Sequence, residues 1–113
     1  MHEVSLLQDA LELALAEAKR EGTSRIHRIG LRVGALSGVV PEALEFAFEV
    51  VTRGSLAEGA RLDVTVVPAA GRCSHCGETF SVEESGFMCP TCGAPAQIGE
   101  QSFELQLATL EVS

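Results

Sequence analysis

The cysteines of this 113-residue chain constrain its fold more than any other feature. They form two Cys-x-x-Cys pairs, each followed by glycine, and no other cysteine is present: Cys73, Cys76, Cys89 and Cys92. A Cys-x-x-Cys turn lets two thiolates reach one ion, and two such turns complete a closed tetrahedral site. The glycines accept the positive φ that folds the backbone beneath a bound sulfur. The pattern therefore predicts a structural metal site with these four ligands.

Zn²⁺ is the ion that we expect in this cage, although the ligands alone leave two alternatives open. Iron in a rubredoxin-like cage uses the same paired cysteines. Two disulfides are the other alternative, but the N-terminus shows no signal-peptide pattern, so an oxidising compartment is not indicated. His75 lies inside the first pair. We expect this side chain to face solvent rather than to bind the metal.

Hydrophobic periodicity predicts two helices and three strands outside the cysteine segment. The first helix covers 4–20, and the second begins at Pro41, which favours the first helical position, and ends before Gly54. Strands are expected at 25–33, at 62–66 and at about 103–112. In the first strand, His27 alternates in phase with three apolar residues and is placed on the buried face. In the last, the apolar face changes after Leu107, which predicts a β-bulge or burial of both faces.

These elements predict an α+β fold in which two helices pack on a small three-stranded sheet. The cysteine segment, 69–98, is polar and glycine-rich, and it separates two strands that can belong to one sheet. It is expected to be an inserted zinc-ribbon-like module that folds around its ion. The predicted domains are therefore 1–68 plus 99–113, an α/β domain, and 69–98, the zinc-binding module.

Composition and charge exclude several classes of function. The net charge is −8, and the segment 73–92 has no Lys or Arg, so a nucleic-acid partner is not expected. No segment approaches the ~20 apolar residues of a membrane span, and the cytoplasm is the expected compartment. No nucleophile–base arrangement or phosphate loop is present, so the chain is not expected to be an enzyme. A monomer or weak dimer is expected.

A second candidate metal site lies at the N-terminus, which reads Met1-His2-Glu3. A histidine at position two lets the α-amine, its own amide nitrogen and its imidazole close fused chelate rings on one ion. The amide nitrogen of Glu3 can complete a plane of four nitrogens. Such a plane favours Ni(II) or Cu(II) over zinc. His2 adjoins a predicted helix and is the residue that we expect to matter most.

Taken together, segments along nearly the whole chain resemble the HypA/HybF family of nickel metallochaperones. The matching segments are 1–3 with 5–6, 32–39, 41–44 with Phe46 and Phe48, 58–60, Pro68, the four cysteines with Cys89-Pro90-x-Cys92-Gly93, 104–105 and 110–112. One departure is that 99–103 is slightly longer than the family pattern before Glu-Leu. This bears on the register of the last strand.

The resemblance implies a function for each of the two sites. It implies that Met1, His2 and Glu3 bind nickel as cargo and that the four cysteines hold structural zinc. It also implies delivery of Ni²⁺ during [NiFe]-hydrogenase maturation, together with a HypB-type GTPase and toward the hydrogenase large subunit. Some family members also serve urease. The alternative function is a zinc-stabilised protein-interaction domain without a nickel role.

Overall fold

The computed structural model describes residues 2–113, except for the side chain of His2. Its elements follow in the order α1 (His2–Arg20), β1 (Ile26–Gly34), α2 (Pro41–Val51), β2 (Arg61–Val67), β3 (Ala70–Cys73), β4 (Thr79–Ser81), α3 (Val82–Ser85), β5 (Ala96–Ile98), a 3₁₀ turn (Glu100–Phe103) and β6 (Leu105–Val112). The strands form two three-stranded sheets, ordered β2-β1-β6 and β4-β3-β5. No helix within 2–113 is long and apolar enough to cross a bilayer.

Helix α1 forms because apolar residues recur at helical spacing along one face. Gly22 follows the helix and marks its end. Its buried positions are Leu7, Ala10, Leu11, Ala14 and Ala18. At the C-terminal end, Gly22 has φ +72°, and the Thr23 amide and hydroxyl both donate to the Ala18 carbonyl. These bonds satisfy a carbonyl that the last turn would leave unpaired. The predicted first helix is confirmed, with a start two residues earlier.

Helix α2 begins at Pro41, as predicted, and packs with α1 over the first sheet. Leu44, Ala47 and Phe48 are its buried residues. The helix ends where Thr52 donates both its amide and its hydroxyl to the Phe48 carbonyl, at 3.1 and 2.7 Å. Thr52 is therefore a buried polar residue whose hydroxyl is paired.

The first sheet confirms the predicted fold, with two helices against three strands. β1 lies in the centre, parallel to β2 and antiparallel to β6. The parallel pair is connected through α2, since parallel neighbours need a crossover connection. Ile26, Ile29, Leu31 and Val33 are buried on β1 and form the core with the inner faces of the helices.

Two one-residue bulges occur where β1 pairs with β6. Ile26 lies opposite Val112 and Arg28 opposite Glu111, which leaves His27 as the extra residue on β1. The predicted place of His27 on the buried face is therefore wrong. The bulge gives the buried position to Ile26 and leaves His27 exposed.

The second bulge confirms the predicted change of face in the last strand. Gly30 pairs with Thr109 and Leu31 with Leu107, so Ala108 is the extra residue on β6. Because one bulge lies on each strand, the two shifts cancel along the ladder. Leu107 and Leu110 can therefore both pack against the core despite their odd spacing.

The strand predicted to begin at 103 begins instead at Leu105, because residues 100–103 form the 3₁₀ turn. Phe103 lies in this turn and is 51% exposed. The turn packs on Gly34: a Cβ there would lie 2.3 Å from the Gln101 carbonyl oxygen and 2.4 Å from that of Ser102. Residues 100–103 thus form a turn that needs glycine at position 34.

Candidate metal centre

The four cysteines converge from two similar turns at one end of the second sheet. Cys73 ends β3 and Cys76 follows in the next turn, while Cys89 and Cys92 belong to the turn before β5. Their Sγ atoms all lie within 4.8 Å of one another. Among the described residues, this is the only group of three or more His, Cys, Asp and Glu side chains that could hold an ion.

The sulfur separations match those of a tetrahedral thiolate site. Cys73 Sγ lies 3.3 Å from Cys92 Sγ, and Cys76 Sγ lies 3.7 Å from Cys89 and 3.9 Å from Cys92. Zinc–sulfur bonds of about 2.3 Å in a tetrahedron place the sulfurs about 3.8 Å apart. All four cysteines are free, and the separations far exceed the ~2.05 Å of a disulfide bond. The geometry therefore fits one ion and not two disulfides.

Each turn repeats the same backbone hydrogen bonds. Gly77 donates to the Cys73 carbonyl and Gly93 to the Cys89 carbonyl, at 3.1 and 2.9 Å. Both glycines have positive φ, +77° and +76°, as their positions after the cysteine pairs predict. The amides of His75 and Cys76 also point at Cys73 Sγ, at 3.4 and 3.3 Å. These N–H groups stabilise negative charge on the sulfur.

The thiols differ in acidity because they share one small volume. Hydrogen bonds from the Cys76 and His75 amides lower the pKa of Cys73 to about 6, against the opposing effect of burial. At Cys76 the Glu78 backbone hydrogen bond lowers the pKa. Hydrogen bonds between the Cys76 thiol and its neighbouring thiols, together with partial desolvation, outweigh this effect and raise the pKa of Cys76 to about 12. The protein alone therefore does not stabilise four thiolates, and a bound cation must supply the compensating charge.

The donor set fits Zn²⁺, because four soft thiolates in a tetrahedron complete its usual structural shell. Cys73 and Cys89 are buried, whereas Cys76 and Cys92 are exposed, so the site lies half open at the surface. Iron in the same cage remains compatible with these ligands. With four sulfurs bound, no position is left for a water or substrate.

A carboxylate that the cysteine spacing did not reveal connects the two turns. The Thr91 hydroxyl donates to Glu78 Oε2, and the same oxygen lies 3.9 Å from Cys89 Sγ. Glu78 follows the first pair and Thr91 lies within the second. An acidic residue after a Cys-x-x-Cys-Gly turn was the available sequence signal, but its partner depends on how the turns fold together. His75 is exposed, as predicted, and is not part of the sulfur cluster.

The predicted nickel ligands fall at the edge of the described part of the chain. Met1 and the side chain of His2 lie outside it. The backbone of His2 is the first residue of α1, and Glu3 is half-buried in the first turn. The amides of a first helical turn have no intrahelical acceptor. The amide nitrogens of His2 and Glu3 can therefore serve as ligands without breaking a helical hydrogen bond.

Comparison with known families gives a match over almost the whole chain. A family model described as "Hydrogenase/urease nickel incorporation, metallochaperone, hypA" matches residues 1–112. The chain is 46% identical over 113 residues to the hydrogenase maturation factor HypA of Methylocella silvestris. It is also 46% identical over 112 residues to that of Geobacter sulfurreducens. Each alignment covers 99% of both chains.

Solved structures agree with this match. The chain resembles the solution structure of the Ni metallochaperone HypA from Helicobacter pylori, with a TM-score of 0.77 and 25% identity. The alignment covers 99% of this chain and 97% of that one. Both the α/β part and the cysteine turns therefore lie within the similarity.

Proposed function

Because this chain belongs to the HypA family of hydrogenase and urease nickel-incorporation metallochaperones, we propose that it binds Ni(II) at its N-terminus and delivers it during [NiFe]-hydrogenase maturation. The family match, which begins at residue 1, is the observation that carries the proposal. The nickel ligands are the α-amine of Met1, the amide and imidazole nitrogens of His2, and the amide nitrogen of Glu3. Such planar nitrogen coordination favours Ni(II) over zinc.

The position of the site on α1 supports its use for a transferable ion. Its ligands belong to three consecutive residues, so nickel can be released without rearranging the core. The ligand nitrogens must lose their protons to bind the metal, and the partner needs access from solvent. The first turn of α1, whose amides have no intrahelical acceptor, suits both requirements.

The four cysteines hold Zn²⁺ as a structural ion, distinct from the cargo. Their shell is closed, which supports the view that the protein carries metal and catalyses no reaction of its own. The thiols must stay reduced to bind zinc, and this supports a cytoplasmic location. The proposed partners are a HypB-type GTPase and the hydrogenase large subunit, with urease maturation as a second destination of the nickel.

The decisive experiment is a nickel titration of the untagged protein beside three histidine variants. His2→Ala should lose the single nickel site and keep one zinc per chain, because it removes only the imidazole of the terminal chelate. His75→Ala and His27→Ala are the matched controls, since both side chains are exposed and neither lies in the sulfur cluster. Both should bind nickel like the native protein.

The same titration separates the proposal from its alternative. Equal nickel binding by native protein and His2→Ala would contradict the N-terminal site. If the native protein and every variant bind zinc but no nickel, the chain is instead a zinc-stabilised interaction domain. The chain has no Trp or Tyr, so protein concentration must come from amino-acid analysis.

A further inference from the structure

Helix α2 exposes apolar side chains on the face opposite its buried one. Phe46 is 75% exposed, the highest value among the large apolar side chains of the described residues, and Val50 is 49% exposed. These residues are four apart, so they are neighbours on one side of the helix. The fold leaves this side uncovered, although Leu44, Ala47 and Phe48 already provide a buried side. An apolar patch of this kind often marks an interaction site.

The patch continues onto the first turn of α1. Val4, Phe46, Ala47, Val50 and Val51 line a wholly apolar hollow of about 180 Å³. Val4 is two residues from His2 on the same helix, which corresponds to about 3 Å of helical rise. A molecule seated in this hollow would therefore lie next to the start of α1, where the nickel ligands are proposed.

Acidic residues flank the patch along α2. Glu42, Glu45 and Glu49 are exposed on the same helix, and α2 has no basic residue in its last turn. Within residues 2–113, none of the three carboxylates takes part in an ion pair. Unpaired charge around an apolar centre resembles the polar rim of a protein interface. Its sign complements a positively charged partner.

We propose that this surface, hereafter the Phe46 face (Val4, Phe46 and Val50 with Glu42, Glu45 and Glu49), is the docking site for the protein that accepts the nickel. The acceptor presents an apolar surface rimmed by Lys or Arg. This inference rests on the proposed function, since it assigns the partner surface of the same metal site. A second copy of the chain is disfavoured, because two such faces would bring six carboxylates together on chains of net charge −8.

Docking at the Phe46 face accounts for directional transfer. The apolar centre supplies affinity, and the acidic rim speeds the encounter and fixes its orientation. Because Val4 lies beside the start of α1, the acceptor's own metal ligands would approach the nickel from that side. Nickel could then pass between the two proteins without entering bulk solvent.

The test measures binding of full-length protein to the HypB-type GTPase and to the hydrogenase large subunit of the same organism. Phe46→Ser should weaken binding of the hydrogenase large subunit, the acceptor in the proposed function, about tenfold or more and slow nickel transfer to it. Weaker binding of the GTPase alone would overturn the inference. Phe103→Ser is the matched control, because this phenylalanine is also exposed and lies in the turn before β6. It should change binding less than about twofold.

A charge series tests the rim. Replacing Glu42, Glu45 and Glu49 by Gln should lower the association rate and flatten its dependence on salt, because steering by the rim is lost. The control has the same net charge and changes three exposed carboxylates elsewhere: Glu12→Gln, Glu83→Gln and Glu84→Gln. The control should retain most of the salt dependence.

Several outcomes would overturn the inference. Native binding by Phe46→Ser, or failure of the native chain to bind either partner, would show that the face does not dock an acceptor. A dimer in sedimentation that Phe46→Ser abolishes would make a second copy the occupant. Nickel titration of each variant without partner is measured separately. If a variant without partner fails to bind nickel, the result counts against the proposed N-terminal site. If the variant binds nickel normally and transfers it to the acceptor at the native rate, the result counts against the Phe46 face alone.

Discussion

Single residues in the cysteine cluster have different acidities, although each of the two similar turns contributes one buried and one exposed thiol. Two amides donate to Cys73, which lowers its pKa. Backbone hydrogen bonds with Glu78 and Ala94 lower the pKa values of Cys76 and Cys92, but contacts with neighbouring thiols and desolvation outweigh this effect and raise both. The difference arises because one thiolate already uses the donors and its charge disfavours the next. Zinc must therefore displace protons when it binds.

Zinc binding should release at least two protons at pH 7. The raised pKa values of Cys76 and Cys92 keep these thiols protonated at that pH, whereas Cys73, with a pKa of about 6, is mostly ionised. Zinc affinity should consequently rise with pH by at least about 100-fold per unit near neutrality, and more steeply below pH 6. Calorimetry in buffers of different ionisation enthalpy counts the protons. Release of fewer than two protons would contradict the acidities described.

Among the secondary-structure elements, the contact between β1 and the 3₁₀ turn depends on one glycine. Gly34 is the last residue of β1. A Cβ atom at this position would lie within 2.4 Å of the carbonyl oxygens of Gln101 and Ser102. Leu36 also donates its amide to the Ser102 carbonyl at 2.8 Å. The turn is therefore held by backbone groups that cannot move aside as a flexible side chain can.

Gly34→Ala should lower the free energy of unfolding by about 2 kcal/mol or more, because the added methyl group overlaps backbone atoms. Gly99→Ala is the matched control: its nearest neighbour is a side-chain oxygen at 3.6 Å, an ordinary contact. The control should change stability by less than about 0.5 kcal/mol. Urea unfolding of the zinc-loaded proteins measures both. Equal stability of the two variants would show that the turn can shift away from β1.

At the scale of the whole molecule, the folded chain is more extended than a single compact domain with the same number of residues. Its radius of gyration is 17.1 Å and its extents are 54 × 26 × 17 Å. A compact chain of this length would have a radius of about 13 Å. The two sheets share no strand, and the sulfur cluster belongs to the second sheet. The division into an α/β domain and a module of 69–98 that folds around its ion stays a prediction.

Cys89→Ser, or zinc removal by a chelator, should unfold residues 69–98 and leave the α/β part folded. Helices α1 and α2 lie outside that segment, so the helical circular-dichroism signal should persist while amides of 70–98 exchange rapidly with solvent. His75→Ala is the control within the same segment and should retain zinc and protection. Loss of the helical signal together with the zinc would show one cooperative unit instead of two.

The sequence by itself determined the features that depend on neighbouring residues. The cysteine spacing predicted the four-sulfur cluster, Pro41 and Gly22 predicted where helices begin and end, and the change of face after Leu107 predicted a bulge. The match to a nickel-chaperone family likewise agreed with the resemblance noted from motifs. These signals are local because helix periodicity, turns and paired ligands operate over a few residues.

Only the tertiary structure decided the features that need two distant segments. The bulge at His27 exists because β1 must match β6, some 80 residues away, and it moved this histidine out of the core. The contact of Glu78 with Thr91 requires the two cysteine turns to meet. The apolar hollow lined by Val4, Phe46 and Val50 exists only because α1 and α2 lie side by side. Strand register and helix orientation are set by non-local packing, which no short sequence window contains.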